Sequence, residues 1–209
     1  MLSDDEIAML TVVRENFKKV VLLLNVGNII DMTDINRIAP DAVLYVWQGG
    51  MTGGKGTADV LTGRVSPSGK LPDTIAYKAS DYPSDANFGR EENRDIYAED
   101  IYVGYRYFET FAKEKVLYPF GFGLSYTAFE IKTEKAEITE GAVKLSVSVK
   151  NIGSYKGKEV IEVYCEAPQG RLGKAARVLC GFEKTRELPP QEEQVVEIAA
   201  VSYTHLRAH

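Results

Sequence analysis

The 209-residue chain is 44 % hydrophobic, 26 % charged and 10 % aromatic, an ordinary globular composition with room for one large or two small domains. Its net charge of -5 argues against nucleic acid, which recruits clustered Lys and Arg, and no apolar run nears the roughly 20 residues of a membrane span. Both histidines, His205 and His209, fall in the last five residues, so the body lacks the imidazole that Ser-His-Asp or Cys-His catalysis and His-built zinc sites require.

The chain opens with a helix start signal. Ser3 can cap the first turn while Glu6 reaches back to it, and Asp4 and Asp5 add charge of the favourable sign. Ile7, Leu10, Val13 and Phe17 then recur at helical spacing. The same acidic start has the wrong sign for a signal peptide. Residues 20–24 form a continuous apolar run, the pattern of a parallel strand covered on both faces. Residues 25–28 (Asn-Val-Gly-Asn) turn out of it, a short helix is predicted over 33–38, and a second apolar strand over 42–46. Trp47-Gln48-Gly49-Gly50 reads as a loop, residues 55–61 as a helix, and Gly63 as its C-terminal cap. Strand, helix, strand, helix is part of an α/β sheet. Two strands are too few to close one, so the domain is expected to be cut on its N-terminal side.

Residues 49–56, GGMTGGKG, follow a strand and precede a helix, where a phosphate loop would sit. The hydroxyl residue that should follow Lys55 is Gly56, with Thr57 one place late, so close chain passage explains these glycines better than nucleotide binding. Residues 66–72 (SPSGKLP) are turn chemistry. Residues 77–95 lose all periodicity, and Glu91 and Glu92 beside Arg90 and Arg94 read as a solvated charge cluster.

Residues 97–129 hold half of the twelve tyrosines and five of the eight phenylalanines. Aromatic side chains bury large areas, and Tyr keeps a polar tip, so this stretch is expected to staple two domains. The alternative is a sugar-stacking surface with Tyr102, Tyr105, Tyr107, Phe120 and Phe122 on one solvent-facing side. After it the texture is β. Strands are predicted over 143–149, 160–164, 177–182 and 194–198, with turns at residues 151–153, 168–170 and 189–190. Short strands at this spacing suit a sandwich of immunoglobulin or fibronectin type III kind; four where seven are wanted imply a cut at the C-terminal end. Cys165 and Cys180 are too few for a disulfide framework and are expected to be buried free thiols.

The runs VVLLLNVGNIID, DAVLYVWQGG, ADVLTGRVSPSGKLPDT, IYVGYRYFET and YPFGFGLSYTAFE occur in this order, followed by VKNIGSYKGKEVIEVY and an LPP turn. As a set they resemble the family 3 glycoside hydrolases, the β-glucosidase group, over residues 2–200. The resemblance implies a fold of α/β plus all-β class: the C-terminal part of an α/β sandwich domain at residues 1–96, an aromatic inter-domain connection at 97–126, and an incomplete fibronectin type III-like β-sandwich at 127–200. It implies a longer retaining enzyme acting on β-linked glycosides or oligosaccharides, without cofactor, with a homodimer possible. The nucleophile of such enzymes lies in a missing barrel and the acid/base Glu just before this chain's first helix. No catalytic residue is therefore assigned here, and the fragment alone is expected to be inactive.

Trp47 and Gln48, at the carboxyl end of the second strand, are the expected substrate-proximal residues, on the aglycone side. The rival for Trp47 is packing against a domain interface. The rival for the whole chain is a stand-alone carbohydrate-binding or scaffolding module. Compartment is left open, cytoplasmic slightly favoured. Residues 201–209 depart from the family pattern and are expected to be a non-native tail.

Overall fold

The computed structural model describes residues 2–90, 93–94, 96–139 and 142–201. Glu91, Glu92 and nearly all of the suspected tail lie outside the described residues. The chain divides into two compact units, Met1–Ala58 with Asp73–Phe120, and Asp59–Pro72 with Gly121–His209.

In the first unit, α1 (Asp4–Asn16) begins on the predicted capping box: the Ser3 amide donates to Glu6 Oε2 at 2.8 Å and the Glu6 amide to Ser3 Oγ at 3.3 Å. β1 (Val21–Leu24) pairs in parallel with β2 (Ala42–Tyr45), Val21 opposite Ala42 through Leu24 opposite Tyr45. Asp41 fixes the entry to both strands, accepting from the Val20 amide at 2.9 Å and pairing with Arg14 and Lys19. The Val20 amide leads these bonds, the Lys19 ammonium follows, and together they hold the Asp41 carboxyl below its usual range. The crossover carries α2 (Thr33–Ile38), which ends where Ala39 turns left-handed at φ 54° before Pro40.

A single 3-10 turn, Gly50–Thr52, leads into α3 (Gly53–Leu61), two residues earlier than predicted. Beyond it the first unit resumes with β3 (Ile75–Ala76), which pairs antiparallel with β4 (Val116–Tyr118). Between them the supposedly unpatterned loop holds two 3-10 turns, Ala79–Asp81 and Pro83–Ala86, and the aromatic stretch holds a helix, α4 (Tyr105–Phe111). Ala76, Phe108 and Ala112 are buried together, with Tyr82, Tyr107 and Val116 packed on them.

The second unit is the expected sandwich with one more strand than predicted. β5 (Phe129–Thr139), β6 (Ala142–Asn151) and β9 (Glu193–Val201) form an antiparallel sheet in the order β5-β6-β9. β7 (Val160–Glu166) and β8 (Arg177–Lys184) form a second antiparallel pair. Inward residues of both, with Leu188 from the connection after β8, meet in a core of Val147, Val149, Ile161, Leu188, Val196 and Ile198. Asn151, fully buried, ties its margin together. Its amide nitrogen donates to the Tyr155 and Leu188 carbonyls at 2.7 and 2.8 Å, and its oxygen accepts from Thr127 Oγ1 and the Gly153 amide.

Residues 59–72 belong to this second unit. Ser66 Oγ donates to the Lys156 carbonyl at 2.7 Å, Lys184 Nζ to the Ser68 carbonyl at 2.9 Å, and Lys70 pairs with Glu159 at 2.8 Å. Leu71 exchanges backbone bonds with Phe122 and Gly121. Gly121 sits at φ +79°, a conformation strained for any residue with a Cβ, and a Cβ there would also force the Glu162 carboxylate to move. Cys165 on β7 and Cys180 on β8 are free, as expected, but half-buried rather than buried. Cys180 is the extra residue of a bulge, since Val163 faces Gly181 and Tyr164 faces Leu179. Among the described residues, no helix is long and apolar enough to cross a membrane.

Candidate functional site

The parallel pair places the loops after β1 and β2 side by side at its carboxyl edge, where open α/β sheets carry their ligands. The ladder runs one bond further, from the Val46 amide to the Leu24 carbonyl at 2.9 Å, before the loops diverge. Trp47 then takes φ +56°, a left-handed conformation that costs a residue with a Cβ about 1–2 kcal/mol. Such outliers concentrate at functional loops. The Trp47 ring packs on Tyr45, with centroids 4.9 Å apart and planes tilted by 40°. The exposed Gln48 side chain lies over Gly27, its Nε2 3.1 Å from where a Cβ would stand. The two predicted residues thus stand at the same edge as residues 25–28. A Cβ on Gly49 would approach Gly53 Cα to 2.6 Å, so the glycine there serves the close turn into α3.

The Tyr45 hydroxyl accepts from the Ile30 amide at 3.1 Å, and burial pushes its pKa up despite that bond. Ile30 in turn walls a pocket of about 270 Å³, open to one side. Its near wall is Asn28 to Asp31, the chain leaving β1; its far wall is Lys78, Ala79, Ser84, Asp85 and Phe88. Asp31 joins the walls. One oxygen accepts from the Thr33 amide at 2.8 Å and the other from the Ala79 amide at 2.9 Å. Partial burial works against its charge, but the bonds from Thr33 and Ala79 outweigh it and hold the carboxyl below the usual range. Tyr82 makes the floor: its hydroxyl donates to the Thr74 carbonyl at 2.8 Å and accepts from the Ala76 amide at 2.9 Å. Its ring stands edge-on to Phe108, centroids 5.3 Å apart.

Sequence reasoning placed Trp47 and Gln48 but missed this pocket, because its far wall lies in residues 77–95, which carry no periodic signal. The alternative of a solvent-facing aromatic surface is not supported. Tyr102 packs on Phe111, Tyr105 on Phe120, and Tyr107 on Phe108 and Phe111, all half-buried or engaged within the first unit. They form no solvent-facing platform. Among the described residues the most exposed rings are Tyr97, at 91 %, and Phe88, at 86 %. No group of three or more His, Cys, Asp or Glu among the described residues could hold a metal ion.

Comparison with known proteins bears on this architecture. Residues 1–126 match the model of the glycosyl hydrolase family 3 C-terminal domain, and residues 159–204 that of a fibronectin type III-like domain. The chain is 65 % identical over 198 residues to a β-glucosidase of Ruminococcus albus, covering 95 % of this chain and 21 % of that protein. It is 47 % identical to β-glucosidase A of Butyrivibrio fibrisolvens, of which it covers 26 %. Among solved structures, a β-glucosidase from Paenibacillus barengoltzii superposes with a TM-score of 0.90 at 51 % identity, over 96 % of this chain and 22 % of that one. β-Glucosidase 3B from Thermotoga neapolitana, solved in complex with α-D-glucose, gives 0.87 at 40 % identity, over 96 % of this chain and 29 % of that one. The chain therefore spans about a fifth to a quarter of the length of the relatives it matches. By the family model that accounts for more than half of its residues, and by the ordered β structure that follows, the chain belongs to glycosyl hydrolase family 3.

Proposed function

We propose that this chain is part of a retaining β-glucosidase that hydrolyses β-linked glycosides or oligosaccharides, and that it contributes the aglycone side of the site rather than the catalytic carboxylates. The observation that carries the activity is the similarity to β-glucosidases along 95 % of the chain. In this reading residues 1–96 are α/β domain, 97–126 the connection and 127–200 the fibronectin-like domain. Retaining hydrolysis needs a carboxylate nucleophile and a carboxylic acid whose pKa is raised, roughly 5 Å apart. Asp31, the carboxylate joining the walls of the edge pocket, is pushed the opposite way and committed to two backbone amides, which suits a brace and not a proton donor. Trp47 and Gln48 offer a ring and an amide at the carboxyl edge of β2, groups that position a leaving group without reacting.

The test is an assay of a longer polypeptide carrying this chain, and of the 209-residue chain alone, on an aryl β-glucoside. The longer protein should release β-glucose first, seen by NMR before mutarotation, and the chain alone should give no turnover. Turnover by the chain alone would overturn the placement of the carboxylates. Faster release from a β-xyloside would move the sugar specificity without touching that placement. Trp47→Ala in the longer protein should raise KM for bulky aglycones more than for small ones. An unchanged KM with lowered stability would assign Trp47 to packing alone.

A further inference from the structure

Cys165 and Cys180 belong to the second unit, not to the unit that carries the candidate site. Their strands β7 and β8 are antiparallel, and Cys165 faces Val178 across the ladder. In regular register Cys180, two places beyond Val178, would stand diagonally from Cys165 on the same side of the hairpin. The bulge alters that reach. Cys180 is its extra residue, and a bulge re-aims the side chain it carries. Cys180 Sγ lies 3.3 Å from the Val178 carbonyl oxygen, so the side chain folds back toward the residue that faces Cys165. There it is in hydrogen-bond reach of both the backbone amide and the thiol of Cys165. Both residues are half-buried, and neither is in a disulfide. No third His, Cys, Asp or Glu joins them as a metal ligand among the described residues, which leaves the chemistry of two neighbouring thiols. Between them in the chain run residues 166–179, whose tip holds Arg171 and Leu172 exposed.

We infer that Cys165 and Cys180 form a site of reversible modification by low-molecular-weight disulfides, closing to an internal disulfide that braces the β7–β8 hairpin. In the first step the Cys165 thiolate attacks one sulfur of R–S–S–R, whose S–S bond breaks as R–S⁻ leaves. In the second, Cys180 loses its proton and attacks the Cys165 sulfur of the mixed disulfide, expelling the other R–S⁻. The two protein thiols give up two electrons, and their protons pass to the leaving thiolates. One R–S–S–R thus becomes two R–SH. The hairpin sets the order of the steps. Burial, with Cys165 alongside, pushes the Cys180 thiol up, so it offers little thiolate to an outside reagent. Contact with Cys165 supplies the proximity that an intramolecular attack needs. Closure ties the two strands together and constrains residues 166–179.

Oxidised and reduced glutathione in graded ratio are the probe. The folded 209-residue chain is equilibrated at pH 8, quenched in acid, alkylated and cut with trypsin, which frees Cys165 in residues 159–171 and Cys180 in residues 178–184. As the oxidised share rises, one cross-linked pair of these peptides should replace both alkylated forms. Oxidation should also slow amide exchange in residues 160–184 by about tenfold, and dithiothreitol should reverse both changes. Cys180→Ser should stop at a mixed disulfide on Cys165, and Cys165→Ser should leave Cys180 largely unmodified. Both thiols alkylated at every ratio overturns the site. So does a mixed disulfide that persists beside a free Cys180, or a cross-link that forms only in urea. A cross-link with unchanged exchange in the hairpin overturns the brace. The map of the unsubstituted protein decides even where a variant fails to fold. Should the 209-residue chain itself fail to fold, the same two peptides are read from the longer polypeptide, with the same outcomes.

Discussion

The two units solve the same burial problem differently. In the second, antiparallel strands close on each other, and the six core residues from Val147 to Ile198 are less than a tenth exposed. Its most deeply buried polar side chain among the described residues, Asn151, has its amide bonds answered locally. In the first, the parallel pair β1–β2 hides Leu24 but leaves Val21 51 %, Leu23 41 % and Val43 36 % exposed. Alternate residues of a strand point to opposite faces, so the face that carries Val21 and Leu23 is the open one, while Val43, level with Leu22, is part-exposed on the other. Parallel sheets are ordinarily covered on both faces. A hairpin-built core completes itself within a few dozen residues, whereas a crossover-built one needs a layer on each side. The first unit should therefore be the less stable of the two, while carrying the candidate site.

Hydrogen exchange read separately in each unit can break or sharpen this contrast. The largest effect is expected from Phe108→Ala, which empties the small core of the first unit and should cost about 3–5 kcal/mol. Protection should fall in the first unit only; equal loss in both would mean that they unfold as one body and the contrast is void. Asn151→Ala strands two carbonyls, a hydroxyl and an amide at a buried margin of the second unit, and should cost about 3 kcal/mol there. Asp31→Ala frees the Thr33 and Ala79 amides and should cost the first unit about 1–2 kcal/mol. The acid response follows the same residue. Because its folded pKa lies below the ordinary carboxylate value, its contribution is complete above that value and disappears as pH falls through the folded pKa. Exchange in the first unit should rise over that acid window, and the rise attributable to Asp31 should be absent from Asp31→Ala. The smallest effect concerns reactivity. Partial burial, with Cys165 alongside, pushes the Cys180 thiol up, so at pH 8 it should be alkylated more slowly than an unstructured thiol.

Particular residues explain what could be read in advance. The capping box at Ser3 and Glu6 and the apolar runs of β1 and β2 are local signals, and the structure contains them nearly to the residue. β5 escaped notice because a bulge interrupts its alternation. Thr133 faces Val147 and Lys135 faces Ser146, so Glu134 is unmatched and the apolar parity of Phe129 and Ile131 flips to Ala136 and Ile138. Its charged residues also mask it, a common device on edge strands. α4 was missed since Tyr and Phe are mediocre helix formers and its seven residues are held by ring packing instead. The place of Trp47 and Gln48 at the carboxyl edge of β2 was legible from the apolar run that precedes them. Lys78, Asp85 and Phe88 were not, because tertiary folding alone brings their loop against Asn28 and Asp31.

The passage of residues 59–72 into the second unit has a consequence for anyone recombining this protein. The fibronectin-like part is not a cassette that can be excised at one boundary and spliced onto another enzyme. A gene segment opening at Gly121 would omit the acceptor of the Lys184 bond at Ser68 and the Lys70 partner of Glu159, along with the backbone pairing of Leu71. A graft must carry both pieces, and shuffling between relatives should preserve them together as one inherited block.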